Sequence, residues 1–151
     1  MQTFLPYVSF EKSAACLDNR RLGKQRVEAM QILNVLAGKT SAWKHHPAVL
    51  MWDGHEKALR QYLRVMILEW KRRGFRNTMR VPREARLSPH DTPWWLGSRR
   101  FHSAHRSNLL RKDVQHYGQM GWKVSPDLPR YWPVSISALR SKPPRSKVDH
   151  S

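Results

Sequence analysis

The segment GHEKALRQYLRVMILEWKRRG, residues 54–74, carries the clearest structural pattern in the chain. Its apolar residues recur every three or four positions, which is the period of an α-helix with one buried face. That face contains Leu59, Tyr62, Met66 and Trp70, widened by Leu63 and Ile67. The basic run at 71–73 suits the negative end of the helix dipole, and Gly74 is a typical helix stop. We therefore predict a helix from about Gly54 to Arg73 with a broad core-facing stripe.

Three further helices are predicted around this one. They span about Ser9–Asp18, Leu22–Ala37 and Phe101–Lys112. In the second of them, Met30, Leu33 and Ala37 recur at helical spacing, and Gly38 is a natural end. No segment alternates apolar and polar residues in the manner of a half-buried strand. The prediction is a compact all-α single domain of about four helices with long loops, the longest rich in Pro and Arg and running over about 77–98.

The composition is strongly basic. The 151 residues include 28 Lys and Arg against 11 Asp and Glu, a formal net charge of +17. Such a surplus opposes compaction, whereas a nucleic acid that binds it gains affinity by releasing condensed counterions. A merely solvated basic surface is the alternative. Residues 1–133 are expected to form the helical domain, and residues 134–151 a disordered basic tail that adds nonspecific affinity.

The single cysteine and the lack of a long apolar run indicate in which cellular compartment the protein is expected. The lone cysteine, Cys16, lies in an apolar stretch, which predicts a buried thiol rather than a nucleophile or a disulfide. No secretory leader is visible, and no apolar run approaches the roughly 20 residues that a membrane helix needs. We expect a cytoplasmic, nucleoid-associated protein with no membrane partner.

The first candidate contact surface lies at the start of the helix predicted at about 22–37. Arg20, Arg21, Lys24 and Arg26 stand within seven residues, close to the free N–H groups of the helix start. Cations and free N–H groups in this arrangement grip phosphates. The amide of Gln25 could also read a base edge. A solvated helix start is the alternative interpretation.

The second candidate surface lies on the helix predicted at 101–112. His102, His105 and Arg106 share one face there, and we expect them to contact a DNA backbone or a flipped nucleotide, with Lys112 as a further contact. An exposed polar helix without a ligand is the alternative.

Two adjacent histidines, His45 and His46, raise the question of a metal site. No cysteine stands near them and no carboxylate has ligand spacing, so no metal is predicted. His46, which precedes a proline, is instead expected to form hydrogen bonds in a loop at the DNA surface.

The order and spacing of these blocks resemble the pyrimidine-dimer DNA glycosylase family, the small phage-type endonuclease V enzymes. The similarity is strongest over residues 45–76, where His46-Pro47, Gly54-His55 and the helix ending Lys71-Arg72-Arg73-Gly74-Phe75 follow the family's layout. It returns at Phe101–Asp113 and at His116-Tyr117-Gly118, with a looser match at the N-terminus.

The resemblance implies an all-helical single-domain enzyme that needs no cofactor or metal, and a monomer is the default expectation. Its partner would be double-stranded DNA containing a damaged or modified base, in a bacterium or a phage. Enzymes of the family use the free N-terminal α-amine to attack the sugar C1′, release the base and cut the strand through an imine. An α-amine has an ordinary pKa near 8, so roughly a tenth of it is neutral at pH 7, far more than for a lysine side chain.

The chain departs from the family's pattern at the nucleophile. Family enzymes expose a small second residue after Met1 is removed, but Gln2 normally blocks that removal. The expected nucleophile is therefore the α-amine of Met1, or of Thr3 after further trimming. Lys24, which other cations crowd, is the alternative amine.

The chain also departs from the pattern at the catalytic carboxylate. The family's essential glutamate falls at Arg20 or Arg21 in this sequence. Asp18, before the helix, and Glu28, inside it, are the available substitutes. A carboxylate is needed to stabilise the cationic transition state and to move protons during elimination.

The leading hypothesis is a DNA glycosylase with abasic-site lyase activity that excises a damaged or modified pyrimidine. Trp43, Trp52 or Trp94 would fill the gap or stack on the extruded base. One alternative is a noncatalytic DNA-binding module that retains the fold. Another is a binder of single strands or RNA that uses the basic loop and its tryptophans.

Overall fold

The computed structural model describes residues 1–134, and within that range the regular structure is entirely helical. The helices are α1 (Phe10–Cys16), α2 (Asn19–Leu36), α3 (Pro47–Leu50), α4 (Glu56–Arg72), α5 (Arg99–Lys112) and α6 (Val114–Tyr117). Two 3₁₀ turns cover Pro89–Asp91 and Gly118–Met120. The predicted all-α class is confirmed, and α3 and α6 are single turns that the sequence pattern did not indicate. The tail expected at 134–151 lies outside the described residues beyond Val134.

Helix α4 is the centre of the fold. Its buried side chains are Ala58, Leu59, Gln61, Tyr62, Leu63, Met66 and Ile67. They confirm the predicted stripe, with Trp70 half-buried at its end. Lys71 and Arg72 lie in the last turn, and Gly74 follows with φ 92°. Because the stripe is broad, α4 packs against α1 and α2 together.

Helix α2 begins one turn earlier than predicted and turns a different face to the core. Asp18 caps it by accepting a hydrogen bond from the Arg21 backbone N–H at 3.3 Å. Its buried residues are Leu22, Gln25, Ala29, Ile32 and Val35. The predicted stripe of Met30, Leu33 and Ala37 lies at the edge of this face, because Met30 and Leu33 are half-buried against the core and Ala37 is exposed. A polar residue, Gln25, occupies the centre of the real stripe.

The two long helices approach closely at Gly23. A Cβ at Gly23 would lie 2.9 Å from Cζ3 of Trp70, closer than real side-chain contacts allow. The Trp70 ring cannot easily move away, because it stacks on Phe75 and its Nε1 donates to the Arg76 carbonyl at 2.9 Å. Glycine at this position therefore sets how near α2 comes to α4.

The long loop after α4 is fixed to that helix by side chains. Gln61 donates to the Arg83 carbonyl at 3.0 Å and accepts from the Ala85 N–H at 3.1 Å. Arg64 donates to the Pro82 carbonyl at 2.9 Å. Backbone groups that lack helical partners are thus satisfied locally.

Two smaller expectations are also tested. Cys16 is buried, and burial raises the pKa of its thiol to about 12, which agrees with a structural role. Among residues 1–134, no helix is both long and apolar enough to cross a membrane.

Candidate active site

A polar cleft of about 320 Å³ opens where the N-terminus meets the start of α2 and the end of α5. Its lining comes from four separate parts of the chain. These residues are Met1, Gln2, Phe4, Arg20, Arg21, Lys24, Gln25, Glu28, Asn108, Lys112, Arg130 and Trp132. The cleft therefore unites the N-terminal amine, the first basic cluster and one of the two candidate carboxylates.

The N-terminal segment reaches this cleft as an irregular stretch whose backbone hydrogen-bonds to side chains. The Gln25 side-chain oxygen accepts from the Phe4 N–H at 2.7 Å, and its amide nitrogen donates to the Gln2 carbonyl at 3.0 Å. The Tyr62 hydroxyl lies 2.6 Å from the same Gln25 oxygen and 2.8 Å from the Phe4 carbonyl. Gln25 is 1 % exposed, so its amide serves the segment and does not reach a base edge as the sequence suggested.

Two buried histidines of α5 also bind the N-terminal segment, and together with Gln25 they form what we call the clamp. His105 Nδ1 accepts from the Leu5 N–H at 2.8 Å. His102 Nε2 accepts from the Gly97 N–H at 2.9 Å, so its Nδ1 carries the proton and donates to the Leu5 carbonyl at 2.7 Å. Arg106 then donates to the Pro6 carbonyl at 2.7 Å. All three were expected at the DNA surface, but their polar atoms are directed to the backbone of residues 5 and 6.

Burial keeps the two histidines neutral. Desolvation, with a smaller contribution from His102, lowers the pKa of His105 to about 3. Desolvation also lowers the pKa of His102, more than its hydrogen bond to Leu5 raises it. A neutral ring is what the clamp requires, because Nδ1 of His105 acts as an acceptor.

The clamp holds the first residues of the chain beside Glu28. The Gln2 N–H donates to Oε1 of Glu28 at 2.8 Å, while Lys24 Nζ lies 3.6 Å from Oε2. The Glu28 side chain is 14 % exposed, and that of Lys24 is 68 % exposed. Met1 is half-buried and packs against the hydrophobic core. A carboxylate and the terminal residue are thus held side by side.

Asp18 occupies a different environment. It caps α2, pairs with Arg21 at 3.2 Å and accepts a short hydrogen bond from the Tyr117 hydroxyl. Burial opposes its charged form, but the bonds from Tyr117 and Arg21 outweigh that effect and hold the pKa of Asp18 below its ordinary value. Asp18 does not line the cleft, so its bonds serve the start of α2.

Five cations surround the cleft: Arg20, Arg21, Lys24, Lys112 and Arg130. Desolvation and repulsion from the other cations, Arg21 and Arg130 among them, lower the pKa of Lys112. The concentration of positive charge is suited to phosphates. Arg26 is not part of this group, because its guanidinium lies 4.3 Å from the Trp70 ring centroid and bonds Asn77 at 2.9 Å.

Sequence reasoning missed Arg130 and Trp132 in the cleft wall. Both lie in an irregular segment far along the chain from α2, where neither periodicity nor charge clustering marks them. Trp132 contacts the His46 ring edge to face, with centroids 5.6 Å apart. His46 caps α3, since its Nδ1 accepts from the Ala48 N–H at 3.0 Å.

Within residues 1–134, no cluster of three or more potential ligand side chains could hold a metal.

Comparison with known proteins identifies the family of the chain. A family model described as pyrimidine dimer DNA glycosylase matches residues 1–82, more than half of the 151-residue chain. No curated protein and no solved structure gives a significant match. The matched region holds the N-terminal segment, α2 with Glu28, and α4. The chain belongs to the pyrimidine dimer DNA glycosylase family, a family of DNA repair enzymes.

Proposed function

We propose that the protein excises a damaged pyrimidine from duplex DNA and then cleaves the abasic site, with the α-amine of Met1 as nucleophile and Glu28 as the assisting carboxylate. One observation carries the proposal. The peptide that follows Met1 is hydrogen-bonded to Glu28 at 2.8 Å inside a cleft ringed by cations. The terminal amine therefore belongs to the residue just before the one bonded to Glu28. It lies in the same cleft as the cations that attract phosphates.

In the first step the neutral amine attacks C1′ of the damaged nucleotide. The C1′–N bond breaks, the base leaves with the electron pair and takes a proton, and the sugar ring opens to an imine on the amine. The negative charge of Glu28 stabilises the cationic sugar in this transition state. The Gln2 N–H holds one oxygen of that carboxylate at 2.8 Å, and Lys24 Nζ lies 3.6 Å from the other.

In the second step Glu28 accepts a proton from C2′ of the imine. The C3′–O bond then breaks, and the strand leaves as a phosphate monoester with the bonding electrons. Hydrolysis of the resulting unsaturated imine restores the amine. Arg20, Arg21, Lys112 and Arg130 line the cleft, and in this proposal they neutralise the phosphates next to the reacting sugar.

Borohydride trapping tests the proposal. The full chain is incubated with duplex DNA carrying either an abasic site or a pyrimidine dimer, reduced, and mapped by peptide mass spectrometry. We expect an adduct on both substrates at the α-amine of a retained Met1, and none on undamaged duplex. An adduct at Lys24 would overturn the assignment of the nucleophile. Tight binding to damaged duplex without any adduct would overturn imine chemistry, and release of the free base would then distinguish a glycosylase that uses water as nucleophile from a noncatalytic module.

A matched pair of variants sharpens this experiment. Lys24→Gln removes the competing side-chain amine but leaves Met1 in place, and trapping should persist. A short N-terminal extension keeps every side chain of the cleft but moves the α-amine away, and trapping should disappear. Persistent trapping in the extended protein would exclude the terminal amine.

A further inference from the structure

The single turn α6 joins the two helix ends that carry cations into the cleft. It follows directly after α5, whose last residue is Lys112, and its side chains contact the segment that leads into α2. His116 Nε2 donates to the Cys16 carbonyl at 2.8 Å, and the Asp18 N–H donates to the Tyr117 hydroxyl at 3.1 Å. Helix α6 therefore fixes the start of α2 relative to the end of α5.

The Tyr117 hydroxyl is bonded to Asp18 twice. It accepts from the Asp18 N–H, and it donates a short hydrogen bond to Oδ1 of the same residue. Burial, followed by the hydrogen bond to Asp18, raises the pKa of Tyr117, so the hydroxyl keeps its proton and remains a donor. The ring is fully buried and stacks on Trp122, with centroids 5.8 Å apart and planes at 12°. The Asp18 carboxylate is thus held by a side chain that packing keeps in place.

The same carboxylate binds the guanidinium of Arg21. Nη1 of Arg21 donates to Oδ1 of Asp18 at 3.2 Å. A guanidinium has five N–H donors, and within residues 1–134 the Arg21 side chain makes no other hydrogen bond. The remaining donors are therefore available to a ligand. Arg21 lines the cleft with its side chain 23 % exposed, against 68 % for Lys24, so it is the more restrained of these two cations.

The crowding of positive charge explains why such a restraint is useful. Desolvation, followed by repulsion from Arg21, lowers the pKa of Lys112, which shows that these two cations stand close together. An arginine without a fixed partner would turn away from Lys112 into solvent, because the repulsion falls with distance. DNA would then have to order that side chain on binding, at a cost in rotamer entropy. The ion pair with Asp18 orders Arg21 before DNA binds.

We propose that Tyr117 is a positioning residue for DNA binding, which acts through Asp18 to hold the guanidinium of Arg21 in the cleft for a phosphate next to the reacting sugar. The inference rests on the proposed function. Asp18 can serve two purposes because its oxygens have different partners. Oδ2 caps α2 by accepting from the Arg21 N–H, whereas Oδ1 accepts from the Tyr117 hydroxyl and from Nη1 of Arg21.

The test uses Tyr117→Phe, which keeps the stacked ring and removes only the hydroxyl. Affinity of the full chain is measured on a duplex that carries a tetrahydrofuran abasic analogue, which cannot form an imine. We expect Tyr117→Phe to weaken binding about two- to tenfold, the cost of ordering one side chain on binding. Arg21→Ala should weaken binding by about tenfold or more, and reduce the slope of log K against log salt by about one. During turnover of a damaged duplex, Tyr117→Phe should raise KM and leave kcat nearly unchanged.

A double-mutant cycle shows whether Tyr117 acts through Arg21. In the Arg21→Ala background, Tyr117→Phe should cause no further loss of affinity, because the side chain that it positions is already absent. Additive losses would overturn the proposal, since the hydroxyl would then act on another group. An unchanged affinity in the single variant Tyr117→Phe would overturn it as well.

Tyr7→Phe is the matched control. It removes a hydroxyl from the same group of rings, where Tyr7 accepts from Trp122 Nε1 at 2.9 Å and has no bond to Asp18. We expect a lower melting temperature with unchanged affinity and salt slope. An equal loss of affinity in Tyr7→Phe would show that binding follows stability alone, and it would exclude a positioning role for Tyr117. Melting curves define the temperature at which every variant is folded.

The outcomes separate this inference from the function beneath it, because binding to the analogue does not require imine chemistry. If the wild type forms no borohydride adduct and releases no base, while the Tyr117 and Arg21 variants are coupled, the proposed glycosylase function fails and the positioning role in DNA binding stands. If the wild type forms the adduct and the two variants are additive, the positioning role is excluded and the glycosylase function stands.

Discussion

The backbone N–H of Gln2 donates a 2.8 Å hydrogen bond to Oε1 of Glu28, which is 26 residues further along the chain. This bond ties the first peptide of the protein to the third turn of α2. The N-terminal segment that follows is held by Gln25, His102 and His105, so the chain end has little freedom to leave the carboxylate. Such preorganisation reduces the entropy lost when an amine must meet a reacting carbon.

The first prediction concerns the charge of Glu28. Glu28→Gln keeps an oxygen that accepts from the Gln2 N–H but removes the negative charge and the proton acceptor. We expect the single-turnover rate of imine formation to fall by about 10²–10³, because the cationic transition state loses its stabilising charge. Affinity for duplex DNA should be unchanged or higher, because the cleft becomes more positive. An unchanged rate would show that Glu28 only anchors the chain.

Asp18→Asn is the matched control for that experiment. An amide still caps α2, but the ion pair with Arg21 and the charged hydrogen bond from Tyr117 are lost. We expect a lower free energy of unfolding, by about 1–2 kcal/mol, measured in urea. The rate of imine formation in the folded protein should stay near that of the wild type. A large loss of rate would return Asp18 to the list of catalytic candidates.

The second prediction separates cations that bind DNA from cations that hold the fold. Arg20→Ala and Lys112→Ala each remove a side chain of the cleft and should weaken duplex binding. Each should also reduce the slope of log K against log salt by about one. Arg106→Ala should instead lower the melting temperature, since its side chain donates to the Pro6 carbonyl and lies 5.1 Å from the Tyr7 ring centroid. Equal salt slopes in all three variants would contradict this division.

The sequence predicted α4 well because its burial is a local property. Leu59, Tyr62 and Met66 are large, apolar and spaced at the helical period, so one face had to be internal. The register of α2 was missed because its core face is centred on a polar residue. Gln25 is buried only because its partners, Phe4 and Gln2, come from another part of the chain.

In the candidate site too, features set by local sequence were predicted and features set by distant contacts were not. Glu28 and Met1 were expected as catalytic residues, and the structure brings them into one cleft. His102 and His105 were expected at the surface, since polar residues on a helix ordinarily face water. Their burial depends on hydrogen bonds to Leu5, about 100 residues away in the chain. Contacts at that separation leave no local pattern, and the same reason hid Arg130 and Trp132.

The third prediction tests the clamp itself. Gln25→Ala leaves the Phe4 N–H and the Gln2 carbonyl without partners and opens a cavity. We expect a loss of about 2–4 kcal/mol in the free energy of unfolding, from unsatisfied polar groups and lost packing. At temperatures where the variant is folded, kcat should fall while KM changes little, because the amine is displaced and the phosphate contacts remain. A fall in stability with unchanged kcat would limit Gln25 to a structural role.

The fourth prediction concerns acid. In the unfolded chain the pKa of His105 takes its ordinary value of 6.5, whereas burial lowers it to about 3 in the native state. Between these values the unfolded state binds a proton that the native state does not, so stability falls as pH drops. The contribution is fully present above pH 6.5 and is lost toward pH 3, with a slope of up to about 1.4 kcal/mol per pH unit.

Urea denaturation at a series of pH values measures this slope. His102, whose pKa is also lowered, should steepen it. The paired carboxylate Glu69, whose pKa is lowered to about 2, contributes in a more acidic window, from its ordinary value of 4.5 downward. His105→Asn keeps an acceptor for the Leu5 N–H without a titrating ring, so it should flatten the curve between about pH 5 and 6.5. An equally steep curve in this variant would exclude His105 as the source.

The last prediction isolates the strain at Trp43. Trp43→Gly and Trp43→Ala both remove the indole and its contact with His46, so they differ mainly in the cost of a side chain at φ 68°. Alanine retains the steric conflict of a Cβ in the left-handed region, which glycine lacks. Since glycine also gives the unfolded chain more freedom, the net advantage of glycine should be about 1 kcal/mol in the free energy of unfolding. If the alanine variant is the more stable of the two, the loop relaxes to another conformation without the indole, and the ring contact rather than the turn holds Trp43 in its orientation.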